Sequence, residues 1–112
     1  MRVTIYHNPK CSKSRQTLAL LQENGIEPKI VEYMNTPLNA ADLKSVLGKL
    51  GLGPREILRS KEAKEEGIWR LLDGNEIIAA IASHPRAMQR PIVVKGNKAV
   101  IGRPPENVLK IL

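Results

Sequence analysis

His7-Asn8-Pro9-Lys10-Cys11-Ser12-Lys13-Ser14-Arg15 carries the only cysteine among 112 residues. A strand-like run, Val3-Thr4-Ile5-Tyr6, precedes it, and a helix-like run, Gln16-Thr17-Leu18-Ala19-Leu20-Leu21, follows it. The cysteine therefore stands where a strand hands over to a helix. There the first backbone N–H groups lack intrahelical partners and the helix dipole is positive. Both effects favour an anion, either the thiolate itself or a bound oxyanion.

The local charge has the same sign. No Asp or Glu occurs before Glu23, whereas Arg2, Lys10, Lys13 and Arg15 are cationic. Helix N-termini and neighbouring cations lower a cysteine pKa from about 8.5 to roughly 3.5–7.5. Most lone cysteines are small buried hydrophobes. This one is flanked by lysines and serines rather than by aliphatic residues, and that setting predicts a reactive nucleophile, Cys11.

Outward from this stretch, Asn24-Gly25 closes the first helix, glycine being favoured just past a last turn. Ile30-Val31-Glu32-Tyr33 predicts a second strand, and a strand–helix–strand unit of this length demands parallel strands. Asn39-Ala40-Ala41-Asp42 opens a second helix whose Leu43, Val46, Leu47 and Leu50 fall on one face and predict core. Pro54 suits the first turn of a short helix carrying Ile57, Leu58 and Arg59. Lys61 to Glu66 is expected to be a solvated face. Asp73-Gly74-Asn75 predicts a turn and Glu76 to Ser83 an apolar-striped helix. Two β-branched runs, Arg90-Pro91-Ile92-Val93-Val94-Lys95 and Lys98-Ala99-Val100-Ile101, flank Gly96-Asn97 and predict a hairpin, with Pro91 at the start of its run. A last helix carries Val108, Leu109, Ile111 and Leu112. Ser12 or Ser14 is expected to cap the first helix with its hydroxyl.

The bulk properties fit one globular domain with an aliphatic core: 42% of residues are apolar and none is Phe. A single cysteine excludes a disulfide framework and internal dithiol chemistry. With two distant histidines it offers no metal site. No signal peptide or long apolar run is evident, which predicts a soluble, cytoplasmic protein without membrane contact. The net charge of +7 is spread along the chain, and Tyr6, Tyr33 and Trp69 are the only aromatics. That argues against a nucleic-acid partner, which needs clustered cations and stacking rings. Binding of an anionic small molecule by a few converging cations accounts for the charge at least as well.

The order βαβ, helices, ββα, with a cysteine at the first strand–helix junction and Pro91 opening the third strand, matches a thioredoxin-like plan. In that plan the sheet order is 2-1-3-4 and the proline is cis beside the cysteine. The three segments His7 to Arg15, Arg90-Pro91-Ile92-Val93-Val94 and Gly102-Arg103-Pro104-Pro105-Glu106 resemble the motifs of glutaredoxin-coupled arsenate reductases, in their shorter branch. The resemblance runs from Thr4 to Leu112. It implies an α/β, thioredoxin-like (glutaredoxin-like) four-stranded mixed sheet forming one domain over 1–112, with a helical insertion at about 36–88. It implies that Cys11 attacks arsenate and that Arg59, Arg90 and Arg103 hold the oxyanion. His7, Asn8 and Ser14 are supporting positions of the same motif, His7 at a position associated with a lowered cysteine pKa. It further implies glutathione as co-substrate, glutaredoxin as the partner resolving a mixed disulfide, and no bound cofactor or metal. The stretch Glu66 to Asn75 is short for the family.

Two other classes share parts of this pattern. Phosphatase-like arsenate reductases need Cys-x5-Arg, and that arginine position is Thr17 here. An RNA polymerase-binding regulator of Spx type shares the fold but typically carries Cys-x-x-Cys, where this chain has Cys11-x-x-Ser14. A glutathione-dependent thiol oxidoreductase with another substrate is compatible with Cys-x-x-Ser and is the alternative reading.

Overall fold

The computed structural model describes residues 2–71 and 73–112. Leu72, within the short Glu66–Asn75 stretch, lies outside them. The chain forms two compact units: residues 1–36 with 90–112, and residues 37–89.

The first unit is built on a four-stranded sheet. Its strands are β1 (Val3–His7), β2 (Lys29–Glu32), β3 (Ile92–Lys95) and β4 (Lys98–Ile101), in the order β2-β1-β3-β4. β1 and β2 are parallel, while β3 runs antiparallel to both β1 and β4. This is the thioredoxin-like arrangement that the sequence predicts. Gly96 makes the hairpin turn at φ +61°, a conformation that costs a β-carbon-bearing residue energy. Helix α1 (Ser12–Glu23) returns from the end of β1. Val3, Ile5, Leu21, Val93 and Val108 form the core between sheet and helices, with Leu18, Ile26 and Ile111 packed at its margin. Full burial of each large aliphatic side chain contributes about 1.5–3 kcal/mol. Arg90-Pro91 and Arg103-Pro104 are cis peptide bonds.

The second unit is helical, with α2 (Ala40–Leu50), α3 (Ser60–Glu65) and α4 (Gly74–Ser83) joined by 3₁₀ turns at Pro54–Ile57 and Pro85–Ala87. Asn39 and Asp42 form the expected reciprocal cap of α2. Leu43, Val46 and Leu47 are buried on α2, and Ile77, Ile78 and Ile81 on α4. A single antiparallel bridge pairs Leu58 with Met88.

Several local expectations differ from the structure. β2 begins and ends one residue earlier than predicted, which leaves Tyr33 fully buried beyond its end. Asp73 caps α4 by accepting from the Asn75 and Glu76 N–H groups, so the predicted turn is the first turn of the helix. Lys61 to Glu66 is not a uniformly solvated face: α3 buries Glu62 and Ala63, because Glu62 is neutralised by Arg59. Leu50 is only half-buried. The last helix is a 3₁₀ helix, Pro105–Ile111, that buries Val108 and leaves Leu109 and Leu112 exposed.

Candidate active site

The strand-to-helix crossing is held by Asn8 and Ser14. The Asn8 carbonyl accepts from the Cys11 N–H at 3.0 Å, closing a turn across Pro9 and Lys10. The Asn8 side-chain oxygen accepts from the Lys10 N–H at 3.0 Å. The Asn8 N–H in turn donates to the Ser14 hydroxyl at 3.0 Å, and that hydroxyl shares a 2.6 Å hydrogen bond with His7 Nδ1. Neither serine caps α1. Cys11 itself occupies the N-cap position without a side-chain cap, and the Ser14 hydroxyl is turned inward and fully buried.

At this N-terminus the Cys11 sulfur is half-buried. Burial works against the thiolate. The Ser14 N–H, the Arg90 guanidinium and the Lys13 N–H, which hydrogen-bond the sulfur, together with the Arg90 charge, outweigh burial and bring the pKa below the usual 9.0. Arg103 approaches from the end of β4, with Nη1 3.9 Å from the sulfur. The same Nη1 donates to the Arg90 carbonyl at 3.2 Å, so Arg103 and the segment before Pro91 are tied at the thiol. His7 is buried, and desolvation pushes its pKa down; Glu32 opposes this and Arg15 reinforces it. Its imidazole is therefore neutral at pH 7, and its hydrogen bond goes to Ser14.

Cys11, His7, Asn8, Ser14, Arg90 and Arg103 all belong to the sheet unit: the Ser14 N–H, Arg90 and Arg103 reach the Cys11 sulfur, while His7 and Asn8 hold the Ser14 hydroxyl. Arg59 belongs to the helical unit, as N-cap residue of α3. There its N–H donates to the Ala87 carbonyl at 2.7 Å, and Nε to buried Glu62 at 2.8 Å. A guanidinium bound through Nε keeps its terminal NH₂ groups as a planar fork suited to an oxyanion.

The supporting contacts of Gly102, Thr17 and Asn107 escaped the sequence reading. Gly102 packs against α1 so closely that a β-carbon would lie 2.6 Å from Thr17 Oγ1 and 2.9 Å from Pro91 Cγ. The Gly102 N–H donates to the Pro91 carbonyl at 2.9 Å. Thr17 is fully buried and spends its hydroxyl on the Lys13 carbonyl at 2.8 Å. The Asn107 side chain donates to the Arg103 carbonyl at 3.0 Å and the Ile101 carbonyl at 3.3 Å, fixing the turn that presents Arg103. The pairing of Thr17 with Gly102 spans 85 residues of chain, which no local spacing encodes, whereas the Asn107 bonds reach back only four and six residues.

Among the described residues no group of three or more His, Cys, Asp or Glu is placed to hold a metal ion. Nor is any helix among them long and apolar enough to cross a membrane.

The chain is 50% identical to the uncharacterized protein YfgD of Escherichia coli, over 99% of this chain and 97% of that one. It is 47% identical to an arsenate reductase of Haemophilus influenzae over the full length of both. The solved structure of an arsenate reductase from Vibrio cholerae superposes with a TM-score of 0.94 at 47% identity, covering 100% of this chain and 98% of that one. The ArsC family matches residues 6–111. On that match, and on relatives similar along their whole length, the chain belongs to the ArsC family.

Proposed function

We propose that the protein is a cytoplasmic arsenate reductase that uses glutathione and glutaredoxin. The observation that carries this reading is the half-buried Cys11 sulfur at the N-terminus of α1, with its pKa lowered and with Arg103 Nη1 3.9 Å away. Relatives named arsenate reductase at 44–47% identity support the choice of substrate.

The Cys11 thiolate attacks arsenic(V). An arsenic–sulfur bond forms, an arsenic–oxygen bond breaks, and the departing oxygen leaves as water after protonation. Arg90, Arg103 and Arg59 hold the oxyanion and balance its charge, which is nucleophilic catalysis with electrostatic stabilisation. A glutathione thiolate then attacks the Cys11 sulfur. The electron pair of the arsenic–sulfur bond passes to arsenic, which leaves as arsenite, and Cys11 is left in a mixed disulfide with glutathione. A glutaredoxin thiolate attacks the glutathione sulfur and releases the Cys11 thiolate. The two electrons come from two thiols, of which the chain supplies one. No bound cofactor enters this scheme.

Arsenite production from the purified protein, with glutathione, glutaredoxin, NADPH and glutathione reductase, tests the reading. Turnover is expected with that set and absent with thioredoxin and its reductase alone. When glutaredoxin is withheld, one glutathione is expected on Cys11 by mass. Glutathione-dependent reduction of small disulfides without arsenite production would instead establish a thiol oxidoreductase with another substrate.

A further inference from the structure

A groove of about 310 Å³ lies along the turn that ends in the nucleophile, lined by Asn8, Pro9, Lys10, Glu32, Met34 and Asn35. Its volume is at the lower end for small-molecule sites, which run from about 300 to 1,000 Å³, and suits a tripeptide. One wall is the Asn8-Pro9-Lys10 turn, closed by the hydrogen bond from the Cys11 N–H to the Asn8 carbonyl. The other is the end of β2, where Glu32 stands in register beside His7. The groove thus offers one cation, one carboxylate, two side-chain amides and two apolar surfaces, Pro9 and Met34, the latter 42% exposed.

We infer that this groove is the binding site for glutathione when it exchanges with Cys11, with Lys10 receiving the glycine carboxylate and Glu32 the ammonium of the γ-glutamyl end. The inference rests on the proposed use of glutathione as the external thiol and names where that thiol is held. Glutathione carries two carboxylates and one ammonium around a central cysteine, the glycine carboxylate one residue away and the ammonium farther off, at the end of the γ-linked glutamyl chain. A residue spans about 3.6 Å at most and Lys10 is the immediate neighbour of Cys11, so the short glycine arm falls to Lys10 and the longer γ-glutamyl arm to Glu32 on the neighbouring strand. A simple basic patch would bind any anion. A groove that also holds a carboxylate selects for a ligand bearing both signs.

Thiol–disulfide exchange isolates this step from arsenate. The Cys11 thiolate attacks one sulfur of a symmetric disulfide. The Cys11–sulfur bond forms, the original disulfide breaks, and one thiolate leaves, so no other oxidant or reductant is needed. Rates of mixed-disulfide formation on Cys11 are compared for glutathione disulfide, the anionic disulfide of thioglycolate, and the neutral disulfide of 2-mercaptoethanol. Ratios to the neutral disulfide cancel any effect of a substitution on the thiolate itself. Lys10→Gln is expected to lower both anionic ratios by about two- to fivefold, the range for exposed ion pairs. Glu32→Gln is expected to lower the glutathione ratio by a similar factor while leaving the thioglycolate ratio equal or higher. Loss of a negative charge that slows reaction with a net anion is the opposite of what bulk electrostatics produces, so that sign supports the groove. A glutathione ratio that rises in Glu32→Gln, or that is unmoved in both variants, overturns it. Arsenite assays on the same variants separate the two ideas. Shifted ratios without arsenate turnover leave the groove standing and remove the substrate; turnover with unshifted ratios does the reverse.

Discussion

The Ser14 hydroxyl and His7 Nδ1 share a 2.6 Å hydrogen bond inside the strand-to-helix crossing, and both residues are buried. Because that hydroxyl also accepts from the Asn8 N–H, one oxygen anchors the end of β1, the turn, and the first turn of α1. A buried donor or acceptor left without its partner costs about 1–3 kcal/mol. Ser14→Ala is expected to lose stability in that range by urea unfolding, with slowed alkylation of Cys11. Full retention of both would mean that the crossing is held elsewhere.

His7 gives this crossing a pH dependence. Its pKa is pushed below the usual 6.5, chiefly by desolvation, so the folded state binds this proton less tightly than the unfolded chain. Stability from this group is complete above about 6.5 and is lost as pH falls from there through the folded value. Unfolding curves measured across that window should show the wild-type protein losing stability with acid more steeply than His7→Asn. Parallel profiles would assign the acid sensitivity to other groups.

The Cys11 thiol follows the same linkage. Its folded pKa lies below 9.0, so the unfolded chain holds the proton more tightly and stability rises with pH from the folded value up to about 9. The midpoint of iodoacetamide reactivity against pH is expected below 9.0 and higher in Arg90→Met, since Arg90 both hydrogen-bonds the sulfur and supplies charge. An Arg90→Met midpoint equal to that of wild type would leave the lowering to the Lys13 and Ser14 N–H groups.

Lysine at Arg90 or Arg103 keeps the charge and loses the planar fork. Hydrogen bonds to charged groups contribute about 1.5–3 kcal/mol, so each Arg→Lys change should reduce kcat/KM for arsenate by roughly 10- to 150-fold. Arg103 is exposed, and its replacement should move global stability by no more than about 0.5 kcal/mol. Steady-state kinetics beside thermal melts would show whether catalysis and folding separate in this way.

Gly102 allows a cleaner double test. Alanine there places a β-carbon 2.6 Å from Thr17 Oγ1, and overpacking of this kind costs about 1–3 kcal/mol. Thr17→Ala removes the nearest obstructing atoms, so the double variant should be more stable than the two single losses add up to. Strict additivity would show that the clash is absorbed at Pro91.

Much of this molecule was legible in short-range pattern. The β1 run, the Asn39–Asp42 cap and the Gly96 turn each depend on residues within a few positions of one another, where local propensity and capping decide the conformation. The position of Cys11 at the start of α1 was legible for the same reason. Ser14 was not: a serine at a helix start prefers to cap, and only the approach of His7 and Asn8 turns it inward. Glu62 sits in a charged run and is buried because Arg59 meets it, which charge patterning alone does not encode. The 3₁₀ form of the last helix was not legible either, since the apolar spacing of Val108, Leu109, Ile111 and Leu112 does not distinguish it from an α-helix.

The missing β-carbon at Gly102 sets a mechanical tolerance. Gly102, beside Arg103, lies against both Thr17 on the nucleophile's helix and Pro91 beside Arg90, with no room for a β-carbon toward either. A thermal shift of α1 that carried the sulfur sideways would push against Gly102 and take the guanidinium with it. Close packing at this one position thereby opposes a change in the spacing between attacking atom and anion holder, and it leaves a position where no larger residue fits.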